Sequence, residues 1–199
     1  MTSKLRFVTP SWHNIYILSS QLAKRVRSEF RPDVLLGVAR GGLVPARLLS
    51  DMLDVPTLFT VGVSFYKDFY KTEKLPRITQ ALPSSFAGRY VLVVDDVVDT
   101  GESLCVVMDE LKKHELFAKT ATLYKKPWSK FTPDFFVVET DAWVVFPWEH
   151  RETMRKIVLK ATSDGKGLKE VEEELVSAGM KRRLVHRLVT SIAGEVHMP

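Results

Sequence analysis

Residues 91–104 read VLVVDDVVDTGESL, and few folds have a use for such a run. Four consecutive β-formers end on Asp95 and Asp96; two apolar residues later come Asp99, Thr100, Gly101, Glu102 and Ser103. A short apolar run bounded by turn residues is the pattern of a strand buried on both faces, as in a parallel sheet. Neighbouring like charges repel one another, and one helix cap does not need three acids. A hydroxyl-rich or positively charged group is therefore expected at this strand end. Behind it, Glu102 to His114 carry Leu104, Val107, Met108 and Leu111 on one helical face, so the run is a strand–turn–helix unit.

The same alternation recurs along the chain. Ser11 is placed to cap a helix with apolar positions Trp12, Ile15, Tyr16, Leu22 and Val26. DVLLGV (33–38) is a short buried strand that breaks at Arg40-Gly41-Gly42 into a second helix reaching about Asp54. TLFTVGVSF (57–65) is β-like, whereas residues 66–80 are polar and basic with neither period, which predicts a long surface loop. KTATLYKKP, DFFVVET and AWVVFPWE follow as further β segments. Strands alternating with helices imply an α/β body with a mostly parallel central sheet flanked by helices. From about Pro147 the pattern changes: HRETMRKIVLKA, LKEVEEELVSAG and KRRLVHRLVTSIAG read as three helices. The expected organisation is a body over 1–146 and a helical C-terminal region over 147–199.

Bulk properties exclude some classes. With 199 residues and 45% apolar composition the chain can bury one full core. It has no apolar run long enough to span a bilayer and no secretory leader is expected. A single cysteine, Cys105, leaves no internal disulfide and fits a cytoplasmic setting. A formal net charge of +5 favours anionic partners without choosing among them.

In an open parallel sheet, ligands sit at the carboxyl ends of strands. Gly101 allows a tight turn, and amide N–H groups with the Thr100 and Ser103 hydroxyls can surround a phosphate at a helix N-terminus. Asp95 and Asp96 can accept from two sugar hydroxyls or hold Mg2+. Phosphate donors a few residues from sugar acceptors are the ingredients of a ribose 5-phosphate site.

The run resembles the signature of the type I phosphoribosyltransferases, which bind 5-phosphoribosyl-1-pyrophosphate (PRPP) through paired acids followed by a DTGxT/S-like loop. The resemblance, which covers roughly residues 10–150, implies the type I phosphoribosyltransferase fold and activity. It assigns the 5-phosphate to Val98, Asp99, Thr100, Gly101, Glu102 and Ser103, and the ribose to Asp95 and Asp96. GVARGGLVPARLL (37–49) is similar to the family's diphosphate loop, which implies that Ala39, Arg40, Gly41 and Gly42 bind the leaving group. The stretch at about 64–80 stands where the family has its lid: Ser64, Phe65 and Tyr66 resemble its opening, and Lys67, Lys71, Lys74 and Arg77 are cationic. Mg2+ is implied, held by Asp95, Asp96 and, near the diphosphate, Glu149.

The resemblance also bears on the acceptor. Members that use 6-oxopurines carry an acid at the Asp99 position, near the purine N7, as a candidate proton acceptor. LYKKP (123–127) looks like the strand that contacts the purine O6, and position matching selects Lys126; an ammonium only donates, so it prefers a carbonyl. AWVVFPWE (142–149) is similar to a segment of bacterial xanthine-guanine enzymes, which implies stacking by Trp143 and backbone contacts from Trp143 and Val144. Val145 stands where that segment has an acid, and archaeal enzymes on the 6-oxopurine scaffold, some accepting adenine, can carry helical tails. The expectation is a purine phosphoribosyltransferase of this archaeal type, using hypoxanthine or guanine or else adenine, with PRPP as co-substrate and a homodimer as assembly. The competing reading is a non-catalytic PRPP- or nucleotide-binding regulator whose basic last helix touches DNA. A charged amphipathic helix packed on the protein is favoured over it, so no nucleic-acid or membrane partner is expected.

Overall fold

The computed structural model describes residues 6–67, 74–80, 82 and 90–196. Its elements, in order, are β1 (Phe7–Val8), α1 (Trp12–Glu29), β2 (Val34–Ala39), α2 (Leu43–Met52), β3 (Leu58–Lys67), β4 (Lys74–Ile78), β5 (Tyr90–Val98), α3 (Glu102–Lys113), β6 (Phe117–Lys125), β7 (Phe135–Glu139), β8 (Trp143–Val144), α4 (His150–Ser163), α5 (Leu168–Ser177) and α6 (Arg182–Val196). They fall into two compact units, Ile15–Thr140 and Met1–Asn14 together with Asp141–Pro199. The N-terminal segment is thus grouped with the C-terminal helices, whereas the sequence reading placed it with the α/β body and the boundary at residue 146.

The larger unit holds a six-stranded sheet in the order β4-β3-β2-β5-β6-β7. Every pairing is parallel except β3 with β4, the expected α/β architecture. Alternate residues Val34, Leu36 and Val38 of β2 and Val91 and Val93 of β5 are buried against Leu104, Val107 and Leu111 of α3. The intervening Leu35 and Leu92 are buried too, so strands covered on both faces appear as unbroken apolar runs. Each such side chain contributes roughly 1.5–3 kcal/mol through burial.

Two local expectations need correction. Residues 66–80 are not one surface loop: β3 runs on to Lys67, and β4 pairs with it antiparallel from Val63↔Ile78 to Lys67↔Lys74. An edge strand bonds on one side only and needs no apolar run, so its basic sequence concealed it. In α1, Ser11 does cap the helix, its hydroxyl accepting the Asn14 N–H at 3.2 Å while Asn14 Oδ1 accepts the Ser11 N–H at 3.0 Å. The buried face, however, is Ile15, Ser19, Leu22, Ala23 and Val26, while Trp12 and Tyr16 are exposed.

The smaller unit is built on the three expected helices. Met154 and Val158 of α4, Val171 and Leu175 of α5, and Val185, Val189 and Ile192 of α6 form its core with Phe7 and Val145. AWVVFPWE gives only the two residues of β8, and they join β1 in a separate parallel pair, Phe7↔Trp143 and Val8↔Val144. No helix among the described residues is long and apolar enough to cross a membrane.

Candidate active site

From β2 the chain crosses to β3 on one side, and from β5 it crosses to β6 on the other. The strand order therefore reverses between β2 and β5, and a crevice opens at their carboxyl ends, where α/β sheets bind ligands. Both motifs singled out above leave the sheet here. Val34↔Val91 through Gly37↔Val94 set the register of the two strands, so the turn after Ala39 lies beside Asp95 and Asp96.

That turn is pressed onto β5. A methyl placed on Gly42 would lie 2.3 Å from the Val94 carbonyl oxygen, and one on Gly41 would lie 2.2 Å from Asp96 Oδ2. Bare glycine is what lets the turn approach the acid pair this closely. The Gly42 N–H donates to the Val38 carbonyl at 2.9 Å, and the Ala39–Arg40 peptide is cis. The sequence's diphosphate-loop and ribose candidates are therefore brought together.

The acids themselves belong to β5, which runs on through them to Val98. Asp95 Oδ1 accepts the Asp96 N–H at 2.9 Å, and Asp96 Oδ1 accepts the Val97 N–H at 2.8 Å. Asp96 is 8% exposed. Burial, and then repulsion from the Asp96 carboxylate, push the Asp95 carboxyl well above the usual range. Beyond them Gly101, at φ 92°, starts α3. A methyl on it would strike Phe131 Cβ at 2.3 Å, so this position needs glycine both for its torsion and for space. The N-terminal turn of α3 lines a cavity of about 310 Å³ together with Phe65, Asp95 and residues 97–101. Of the lid candidates, Ser64 is half-buried and Phe65 reaches this cavity. Tyr66 lies in β3 as backbone, and Lys71 falls outside the described residues.

Asp99 and Lys126, the candidate proton acceptor and O6 donor, are linked by a residue that the sequence reading did not single out. The Trp128 indole N–H donates to Asp99 Oδ1 at 2.8 Å, and the Lys126 ammonium lies 5.3 Å from the Trp128 ring centroid. The Lys126 N–H donates to the Val98 carbonyl at 2.9 Å, tying β6's end to the 98–103 loop. Lys125 instead pairs with Glu139 at 2.8 Å, which separates the two adjacent lysines by role. The only local signal for Trp128 was a tryptophan two residues after Lys126, in a turn where a large apolar side chain has no core to enter.

The remaining candidates lie in the smaller unit. Trp143 is 53% exposed and Val144 is buried. The Trp143 N–H, expected at a purine edge, donates instead to the Arg6 carbonyl at 2.7 Å. Glu149 Oε1 accepts the Phe146 N–H at 3.1 Å, just ahead of α4. Trp148 stacks on Phe146 with ring centroids 4.7 Å apart.

Among the described residues no three His, Cys, Asp or Glu side chains converge as a ready-made metal cage. Asp95 and Asp96 are nonetheless hard oxygen donors at an open crevice. One or two carboxylates completed by substrate phosphates and water is how Mg2+ is usually held, so the residues fit that ion.

Against known proteins, the model of the phosphoribosyl transferase domain matches residues 11–152. The chain belongs to this family. The phosphoribosyltransferase is 33% identical over 141 residues to a xanthine-guanine phosphoribosyltransferase of Idiomarina loihiensis, covering 70% of this chain and 84% of the relative. A purine phosphoribosyltransferase structure from Pyrococcus horikoshii Ot3 matches at 40% identity and TM-score 0.65, over 71% of this chain and 93% of that one. The xanthine-guanine-hypoxanthine enzyme of Helicobacter pylori matches at 26% identity and TM-score 0.66, over 76% and 99%. Both the cavity at 97–104 and the Gly41–Asp96 contact of the phosphoribosyltransferase fall inside the matched span.

Proposed function

We propose that this phosphoribosyltransferase transfers the 5-phosphoribosyl group of PRPP to a purine base, forming a nucleoside monophosphate and diphosphate in purine salvage. The observation that carries this reading is the convergence, at the β2/β5 crevice, of the Ala39–Gly42 turn, the Asp95–Asp96 pair and the 98–103 loop. The purine acceptor is supported by the relatives, named for xanthine-guanine and purine transfer.

The 5-phosphate rests on Val98 to Ser103 at the positive end of α3. Asp95 and Asp96 accept from the ribose hydroxyls, and Ala39, Arg40, Gly41 and Gly42 donate to the diphosphate. Ser64, Phe65 and Tyr66 close over it and exclude water, which would otherwise trap an oxocarbenium-like carbon. The purine nitrogen lone pair then forms the bond to ribose C1 while the C1–oxygen bond breaks and its electron pair leaves with the diphosphate. Asp99 takes the proton that the purine loses, and Lys126 donates to O6. The resemblance assigns Trp143 to stacking on the base and Val144 to a backbone contact with it. Asp95 and Asp96 would hold Mg2+, which would supply positive charge to offset that of the diphosphate; the resemblance assigns Glu149 to a second ion. A homodimer and a cytoplasmic location accompany this reading.

Asp99 and Lys126 favour hypoxanthine and guanine over adenine. The test is one assay with Mg2+ and PRPP, offering hypoxanthine, guanine, xanthine and adenine in turn and measuring the nucleotide formed. Turnover of at least one purine, 6-oxopurines first, is expected. Orotate or uracil as sole acceptor would overturn the purine assignment.

A further inference from the structure

The reaction written above uses Asp99 and Lys126 but leaves out the side chain that touches both. Trp128 sits in the turn after β6, where the Ser129 N–H donates to the Lys126 carbonyl at 3.1 Å. Main-chain bonds stitch this turn to the phosphate loop on either side of the tryptophan: Lys126 N–H to Val98 O at 2.9 Å, and Lys130 N–H to Thr100 O at 3.3 Å. The indole is held between those two anchors, at 2.8 Å from Asp99 Oδ1.

Core packing does not explain its place, since the side chain is 54% exposed. A tryptophan left in solvent gives up much of the area burial that makes the residue stabilising. Its contacts are instead specific. Indole has one donor and no acceptor, and that donor goes to Asp99 Oδ1, leaving Oδ2 outside this bond. Its π face, negative at the centre, attracts the Lys126 ammonium. Asp99 lies on an exposed loop, where a carboxylate unfixed by a partner samples several rotamers, and proton transfer needs the acceptor aimed.

We propose that Trp128 is a positioning residue for purine transfer: one ring fixes the Asp99 carboxylate through its N–H and the Lys126 ammonium through its face, so that proton acceptor and O6 donor keep one mutual geometry. This rests on the roles given to Asp99 and Lys126 above. Trp128→Phe removes the N–H and keeps a ring face; Trp128→Ala removes both.

With Mg2+, PRPP and the purine that the wild type uses best, Trp128→Phe should lower kcat roughly tenfold, the worth of a hydrogen bond to a charged group, with KM for PRPP within about twofold. In the double-mutant cycle, Asp99→Asn/Trp128→Phe should be no slower than Asp99→Asn alone, because the lost bond acts only through that carboxylate. A structural role for the ring would instead add its loss in full. Trp128→Ala should further erode the kcat/KM preference for 6-oxopurines over adenine. Circular dichroism and melting of each variant check the fold, which an exposed side chain should leave near wild type. Unchanged kcat in Trp128→Phe, or full additivity in the cycle, overturns the role of Trp128 and leaves the proposed function standing. No nucleotide from the wild type with any purine overturns the proposed function itself.

Discussion

Gly41 and Gly42 are neighbours in the turn after β2, yet what surrounds each is different in kind. A methyl on Gly42 meets backbone, the Val94 and Val38 carbonyl oxygens at 2.3 and 2.7 Å. Neither strand can retreat without breaking its pairing, so Gly42→Ala should cost about 1–3 kcal/mol and lower Tm by roughly 2–4 °C for each of them. A methyl on Gly41 meets the Asp96 carboxylate, which a χ1 rotation can move. Gly41→Ala should therefore melt close to wild type but bind PRPP worse, seen as a KM increase with the carboxylate displaced from the ribose. Thermal melts and PRPP titrations on the pair check this; equal loss of Tm in both would show that Gly41 serves the fold. The doublet was visible in the sequence as a turn. Which glycine meets the strand backbone and which the Asp96 carboxylate was not, because that depends on β5, some fifty residues later along the chain.

Helix α4 contains a pH-sensitive group at its first residue. Burial lowers the His150 pKa from its ordinary value of 6.5, the nearby Arg187 and Lys181 charges add to this, and a hydrogen bond to the Val145 carbonyl opposes it. Its Nε2 is buried with no hydrogen-bond partner among the described residues, and a cation at a helix N-terminus is disfavoured by the dipole. With the folded pKa depressed, the unfolded chain takes up the proton first. The stability from neutral His150 is therefore present above about pH 6.5 and falls away as pH drops through that value toward the folded pKa. The helical unit of the wild type should melt progressively earlier from pH 7 to 5, and His150→Gln should flatten that slope. Far-UV circular dichroism melts across this range measure it, and an unchanged slope in His150→Gln would remove His150 as the cause. Helical periodicity identified α4, α5 and α6 in advance, because an amphipathic stripe is local information. The charges beside His150, Arg187 of α6 and Lys181 just before it, come from far along the chain, and no local pattern carries them.

The chain closes its smaller unit with its own beginning. Phe7 is buried among α4, α5 and α6, its N–H donates to Ala178 O at 2.7 Å, and the Val145 N–H donates to Val8 O at 2.9 Å. Phe7→Ala should cost about 3–5 kcal/mol there. Limited proteolysis should then cut faster within residues 150–196 while a fragment near 15–140 persists. Equal resistance of both regions to wild type would mean that β1 is dispensable. What the sequence alone determined is what local pattern encodes: the apolar runs of β2, β5, β6 and β7, the three late helices, and the acid and glycine motifs at strand ends. These follow from side-chain period and from residues whose charge or missing Cβ is out of place in a core. Tertiary structure decided the rest. It made β4 from a basic stretch by giving it an edge to pair with, took β8 away from the main sheet to β1, and set Trp128 on a carboxylate 29 residues upstream. Each depends on a hydrogen-bonding partner far away in the chain, and the local order of residues does not name that partner.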